Sequence, residues 1–172
     1  MLRFVSALRF IVSALLLVSV AGCGYKPSAK YSREVTGDRI STSVVISAQD
    51  PENTVVIKDA VDAAIVEIFH ASLASRRNSD THLVLTISPP SYTPIQYDDN
   101  GYVVSYRATI RLKITRHSKD TTKSYNTKGT YDFIIDPNAI ITDQQRFDAI
   151  KYASIKAISA FIAMVSAEGS RR

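Results

Sequence analysis

The sequence predicts an α+β domain in which two helices pack on one face of a four-stranded, mostly antiparallel sheet, in the order β-α-β-β-β-α. Three observations predict it. In residues 102–115, Tyr102, Val104, Tyr106, Ala108, Ile110, Leu112 and Ile114 alternate with Ser105, Arg107, Thr109, Arg111, Lys113 and Thr115. That is the period of a long, half-buried strand. Two other stretches, one within residues 53–76 and one beginning at Thr142, carry apolar residues at three- and four-residue steps, the period of an amphipathic helix. The helices' stripes and the sheet's apolar side have only one another to bury against, so both helices belong on the same face.

Before the fold is considered, residues 1–22 are set aside as a signal peptide. Arg3 and Arg9 make a basic start, residues 10–21 form an apolar run broken only by serines, and Val20-Ala21-Gly22-Cys23 closes it. The apolar run is twelve residues long, short of the roughly 20 that a spanning helix needs. Small residues ahead of an obligatory cysteine resemble the lipobox of bacterial lipoproteins, which implies cleavage before Cys23 and lipid on its sulfur. Several acyl chains on one residue anchor stably where a single chain does not, so Cys23 reads as an anchor and not as a nucleophile. The chain has no other cysteine, and the domain is expected to fold without disulfides. Cleavage would leave 150 residues, 19 of them Lys or Arg against 16 acids, a net charge of +3 where the whole sequence has +5. This suits one domain and gives no case for duplex nucleic acid, while allowing a local basic patch. The expected organisation is a signal peptide over 1–22, a lipidated N-terminus and tether over 23–38, a single domain over 39–168 and a mobile tail over 169–172.

The elements follow in order. Residues 40–47 alternate, with Ile40, Thr42, Val44 and Ile46 on one side, as in a strand. Asp50-Pro51-Glu52-Asn53 then starts a helix whose stripe is Ile57, Val61, Ala64, Ile65, Ile68 and Phe69. Arg76 and Arg77 fit its C-terminal end, and Asn78 its stop. Residues 82–87 make a second strand with Leu83, Leu85 and Ile87 inward, before Pro89 and Pro90 remove two ladder donors. Asp98-Asp99-Asn100-Gly101 marks a tight hairpin leading into the long strand. A polar loop is expected over residues 116–122 and a fourth strand over 123–135. Thr142-Asp143-Gln144-Gln145 fits a capping box. It opens a second helix with Phe147, Ile150, Ala157, Ile158, Phe161 and Val165 as its stripe and Gly169 at its end.

Catalysis has little support. His70, His82 and His117 lie in no pattern such as HExxH, and no GxSxG or glycine-rich phosphate loop occurs. No metal site is expected, because no histidine has another at ligand spacing and the one thiol is assigned to lipid. The acidic turn at residues 98–101 lacks the further ligands of a calcium loop. No cofactor is therefore expected beyond the covalent lipid on Cys23, and the chain is read as a non-enzyme. What remains is the outward row Arg107, Arg111 and Lys113, joined by Lys128 on the next strand. Such a row suits phosphates or carboxylates, since each contact is charge-assisted and a guanidinium binds two oxygens at once. A solvated sheet face kept soluble by charge is the plainer reading.

The mature chain also resembles the lipopolysaccharide-assembly lipoprotein family LptE. The resemblance rests on Cys23-Gly24-Tyr25-Lys26-Pro27, on the order of elements, on Asp80-Thr81-His82-Leu83-Val84-Leu85 and on Gly101-Tyr102-Val103-Val104-Ser105-Tyr106-Arg107. It implies an outer-membrane lipoprotein, lipid-anchored and facing the periplasm or a barrel lumen. There it would plug a β-barrel partner of the LptD kind and help deliver lipopolysaccharide to the cell surface. Lipopolysaccharide phosphates would then meet Arg107, Arg111, Lys113 and Lys128, a transfer by residue character. Gly24, standing where Asp often signals inner-membrane retention, permits outer-membrane sorting. A periplasm-facing adaptor that activates a cell-wall synthase, or a structural envelope lipoprotein with no ligand, fits the same residues.

Overall fold

The computed structural model describes residues 34–46, 54–69, 73–119, 121–137 and 139–171. The chain runs through β1 (Ile40–Ile46), α1 (Thr54–Phe69), β2 (Thr81–Ile87), β3 (Ser91–Tyr97), β4 (Val103–Ser118), β5 (Thr121–Ile134) and α2 (Asp143–Gly169). The class is α+β, with both helices on a mostly antiparallel sheet. Only β1 and β2 are parallel, because α1 lies between them and carries the chain back to the same end.

The sheet has five strands where four were expected. The added one is β3, the first arm of the hairpin, which pairs with β4 along residues 103–109, while β2 pairs with the same edge of β4 along residues 112–118. β2 and β3 thus run in the same direction, end to end, as one long ribbon broken at Ser88, Pro89 and Pro90. The two prolines lack the donors that would carry the ladder through, and Ser88 makes the last bond before them, its N–H donating to the Arg111 carbonyl at 3.1 Å. The hairpin turn itself is as expected. Gly101 takes φ +82°, and the Asp98 carboxylate accepts from the N–H groups of Asn100 and Tyr102 at 3.0 and 2.7 Å.

Two other expectations are corrected. Residues 116–122 are not a loop: β4 continues to Ser118 and β5 begins at Thr121, leaving two residues between them. Polarity alone had marked these residues as loop, since β5 begins with four exposed polar residues, Thr121, Thr122, Lys123 and Ser124. Arg76 and Arg77 do not close α1 but stand in a separate 3-10 turn, residues Arg76–Asn78, after a bridge between Leu73 and Ile40. His70, Asp50-Pro51-Glu52-Asn53 and the signal-peptide residues lie outside the described residues.

One core joins the layers. Leu83, Leu85 and Ile87 of β2 and Ile110, Leu112 and Ile114 of β4 meet Val61, Ala64 and Ile65 of α1 and Ile150, Ile158, Phe161 and Val165 of α2. The capping box of α2 forms as read, Thr142 and Gln145 exchanging backbone and side-chain bonds. The helix is long and apolar enough to cross a membrane by length and composition, yet its apolar stripe is buried in this core. It approaches β5 so closely that a Cβ on Gly129 would lie 2.7 Å from the Ala157 backbone nitrogen and nearer still to the Ala153 carbonyl oxygen. Arg116, 3% exposed, turns inward at the end of β4. Its Nη1 donates to the Val35 carbonyl at 2.7 Å and its Nη2 to Glu168 Oε1 at 3.3 Å. Lys123 Nζ and the Tyr125 hydroxyl donate to the other Glu168 oxygen, each at 2.7 Å. This cluster ties the N-terminal segment and the end of α2 to the sheet. Burial and the bond to Glu168 push the Tyr125 phenol up to about 12.

Candidate ligand-binding face

The antiparallel pairing of β4 with β5 decides which outward side chains become neighbours. With Ser118 opposite Thr121 and one residue gained on each strand per step, Lys113 falls opposite Asn126, Arg111 opposite Lys128 and Arg107 opposite Asp132. All of these point away from the helices, since the alternate residues Ala108, Ile110, Leu112 and Ile114 are buried beneath α1 and α2.

The four cations proposed from the sequence are therefore not equivalent. Arg107 is engaged by Asp132 in a two-pronged bond, Nε to Oδ1 at 2.7 Å and Nη2 to Oδ2 at 2.8 Å. The hydrogen bond to Asp132, and then its charge, raise the arginine's affinity for its proton, and the same bond holds the Asp132 carboxyl below the usual carboxylate range. The arginine's charge is offset, and Nε and Nη2 are committed to that pair. Arg111, Lys113 and Lys128 form no ion pair among the described residues. They surround a shallow groove of about 340 Å³, with Ser88, Leu112, Asn126 and Thr127 completing its lining and no acidic side chain in it. Arg111 and Lys128 are directly cross-strand, a like-charge pairing that costs stability by itself. Three exposed cations around a hollow with amide and hydroxyl groups make a seat for a multiply charged oxyanion, which would relieve that repulsion.

Farther along the same face, toward the chain's entry into the sheet, the surface is rich in hydroxyl groups. His82 of β2 lies opposite His117 of β4, their rings stacked with centroids 6.4 Å apart. Ser41 Oγ is 2.8 Å from His82 Nδ1 and Ser43 Oγ is 3.2 Å from its Nε2. The first distance is that of a nucleophile and its base, but the second ring nitrogen meets a hydroxyl where a triad has a carboxylate. The contact ties β1 to β2. Burial, then the positive Arg76, then His117 lower the His82 pKa below its usual 6.5. The sequence reading put His117 in a loop; it is in β4, beside the Thr122 hydroxyl at 3.1 Å.

At the hairpin end the face turns apolar, with Ile134, Tyr97, Tyr102 and Ile95 exposed. Sequence reasoning missed Asp132, Asn126 and Ser88 as neighbours of the cations. The signal available was the short connection between Ser118 and Thr121, which fixes the register once it is located.

A family model described as LptE: Lipopolysaccharide-assembly matches residues 41–164. Among solved structures, the chain is similar to the rare lipoprotein B of Shewanella oneidensis, with 15% identity, 76% of this chain and 98% of that one covered and a TM-score of 0.44. A putative lipoprotein of Caulobacter crescentus gives 12% identity, 85% and 100% coverage and a TM-score of 0.42. A minor lipoprotein of Acinetobacter baumannii gives 12%, 76% and 92%, and 0.40. None of the curated protein sequences matches the chain.

Proposed function

Because the chain belongs to the LptE family of lipopolysaccharide-assembly lipoproteins, we propose that it binds lipopolysaccharide on the outer face of its sheet while tethered by lipid on Cys23. The tether holds it at the outer membrane, where it sits as a plug within a β-barrel partner of the LptD kind. The role is non-catalytic. The lipid A phosphates enter the groove between Arg111, Lys113 and Lys128, where charge-assisted bonds from two strands compete for them. Packing between those molecules loosens, and no covalent bond changes.

The observation that carries this reading is the groove itself: three exposed cations, none neutralised by an acid, converge on one hollow. Arg107 supports the site less directly, because Asp132 already offsets its charge and occupies its Nε and Nη2. The pair stands four residues along β4 from Arg111, about 13 Å at strand rise. It marks the boundary between the cationic stretch and the apolar hairpin end.

The test is affinity purification of the full chain from envelope membranes, as wild type and with Arg111→Glu and Lys128→Glu together. Wild type should bring down a β-barrel protein at stoichiometric yield together with lipopolysaccharide. The double variant should keep the barrel and lose the lipopolysaccharide. Recovery of a cell-wall synthase, or of neither partner, would count against the proposed role.

A further inference from the structure

Every long sheet edge exposes backbone N–H and C=O groups that could pair with another strand, and natural proteins usually blunt such edges with prolines, bulges, shortness or a covering element. Two of the edges here are treated in that way. β1 is seven residues long, and its start is overlaid by Leu73, which bridges Ile40, and by Ala74, whose N–H donates to the Ile40 carbonyl at 2.8 Å. β3 contains Pro94, and its register breaks between Pro94 and Gln96 and again between Gln96 and Tyr97.

β5 is different. It runs for 14 residues, about 45 Å at strand rise, without proline, and its pairing with β4 is unbroken from Ser118↔Thr121 to Ser105↔Ile134. No described strand pairs with its other side. The Ile135 N–H donates to the Val104 carbonyl at 3.0 Å, so odd-numbered residues direct their backbone groups at β4. The even-numbered residues 122–134 direct theirs outward. Among them, the Ile134 carbonyl accepts from Gln145 Nε2 at 3.3 Å, which closes the edge at its C-terminal end, and no described strand covers the rest.

The surroundings suit a particular guest. On the helix side, Tyr131 stacks on Tyr152 with centroids 5.0 Å apart, and Lys156 Nζ lies 5.7 Å from the Tyr131 centroid. The flank beside the edge is therefore aromatic and cationic. On the outer side stands Lys128, backed by Arg111 across the ladder. An added strand would place alternate side chains against these two flanks, and acidic residues opposite Lys128 would answer the charge there.

We propose that the free edge of β5 is a strand-addition site for an extended, acidic segment of a partner protein. Backbone groups of the even-numbered residues make the ladder, Lys128 selects acidic residues on the outer side, and Tyr131 and Tyr152 pack the alternate ones. The site is separate from lipopolysaccharide binding in the groove except for Lys128, which borders both.

The probe is an acetylated, amidated dodecapeptide alternating Glu with Val, added to the isotope-labelled full chain in detergent and followed by amide hydrogen exchange. Exchange at the even-numbered amides 122–132 should slow about tenfold as they enter a ladder, with β1 and β3 amides unchanged. Thr130→Pro removes an outward donor and should abolish the effect. Lys128→Glu keeps the backbone edge whole and should weaken the acidic peptide while admitting one that alternates Lys with Val. Unchanged exchange in β5, equal protection of β1 or β3, or equal binding of both peptides by Lys128→Glu would overturn the proposal. So would protection of the same amides that rises with protein concentration in the absence of peptide, which would make the guest a second copy.

Discussion

Gly129→Ala is a one-methyl change whose cost can be worked from the contact between α2 and β5. The added carbon would lie 2.7 Å from the Ala157 nitrogen, 2.9 Å from the Ala153 carbonyl carbon and closer to the Ala153 oxygen. All three are backbone atoms of a helix, so no side chain can swing aside, and ordinary contact of about 3.5–4.0 Å requires the helix to retreat by more than about 1 Å, the Ala153 oxygen setting the distance. A gap of that size forfeits about half or more of the local dispersion attraction across the interface, and the helix brings Ala153, Ala157, Ile158 and Phe161 to the core. The expected loss is about 3 kcal/mol, at the upper end of overpacking costs. In a domain of this size that lowers the thermal midpoint by about 6–12 °C. Gly101→Ala is the control. Nothing stands within 4 Å of its would-be Cβ and only φ of +82° opposes it, a strain on the order of 1 kcal/mol. The assay is thermal and urea unfolding followed by circular dichroism. A Gly129→Ala midpoint within two degrees of wild type, or a smaller loss than Gly101→Ala, would refute the close-approach argument.

Other outcomes follow from the buried and titrating groups. Glu168→Ala leaves the Arg116 guanidinium, 3% exposed, without its carboxylate and should cost on the order of 3 kcal/mol in urea unfolding. Arg116→Met, which removes the buried charge, should cost less. For His82, the folded pKa is depressed below 6.5. The unfolded chain therefore takes up the proton first, and stability should fall as pH drops below 6.5 until the folded ring also titrates. His82→Gln should flatten the dependence in that window. Glu168 is shifted in the same direction at lower pH: bonds from Lys123 and Tyr125 hold its carboxyl below the usual 4.5. Its contribution is present above 4.5 and is lost as pH falls through the folded value, and Glu168→Gln should show little of that acid loss. Asp132→Asn should leave stability almost unchanged, as exposed pairs contribute little. It should also free Arg107 and strengthen binding to anionic lipid in a flotation assay.

Much of the architecture was legible because apolar periodicity is a strong signal where one face is buried. The alternation of Ala108, Ile110, Leu112 and Ile114 placed Arg107, Arg111 and Lys113 on the outer face, and the Thr142–Gln145 pair marked the start of α2. The failures have a common cause in polar segments. Arg116 sits at an inward position of the same alternation, but a charged residue there reads as the end of a strand unless its partners are known, and those partners, Val35 and Glu168, are remote in sequence. β3 escaped the strand count because nearly all of it is exposed and it carries no apolar alternation. The candidate cations were legible one by one. Their inequality was not, since the Arg107–Asp132 pair depends on a register set by where β4 ends and β5 begins. No periodicity announces a free edge such as that of β5, which follows from the order of strands.

The central claim is that Arg111, Lys113 and Lys128 form one oxyanion seat. The most direct measurement is lipopolysaccharide binding by the purified full chain, titrated at several salt concentrations for wild type, Arg107→Glu and the combined Arg111→Glu and Lys128→Glu variant. The double reversal should abolish binding with the thermal midpoint kept, Arg107→Glu should weaken it only slightly, and wild-type affinity should fall as salt rises. Binding that survives the double reversal, or that depends on Arg107 as strongly as on the groove, would contradict the claim.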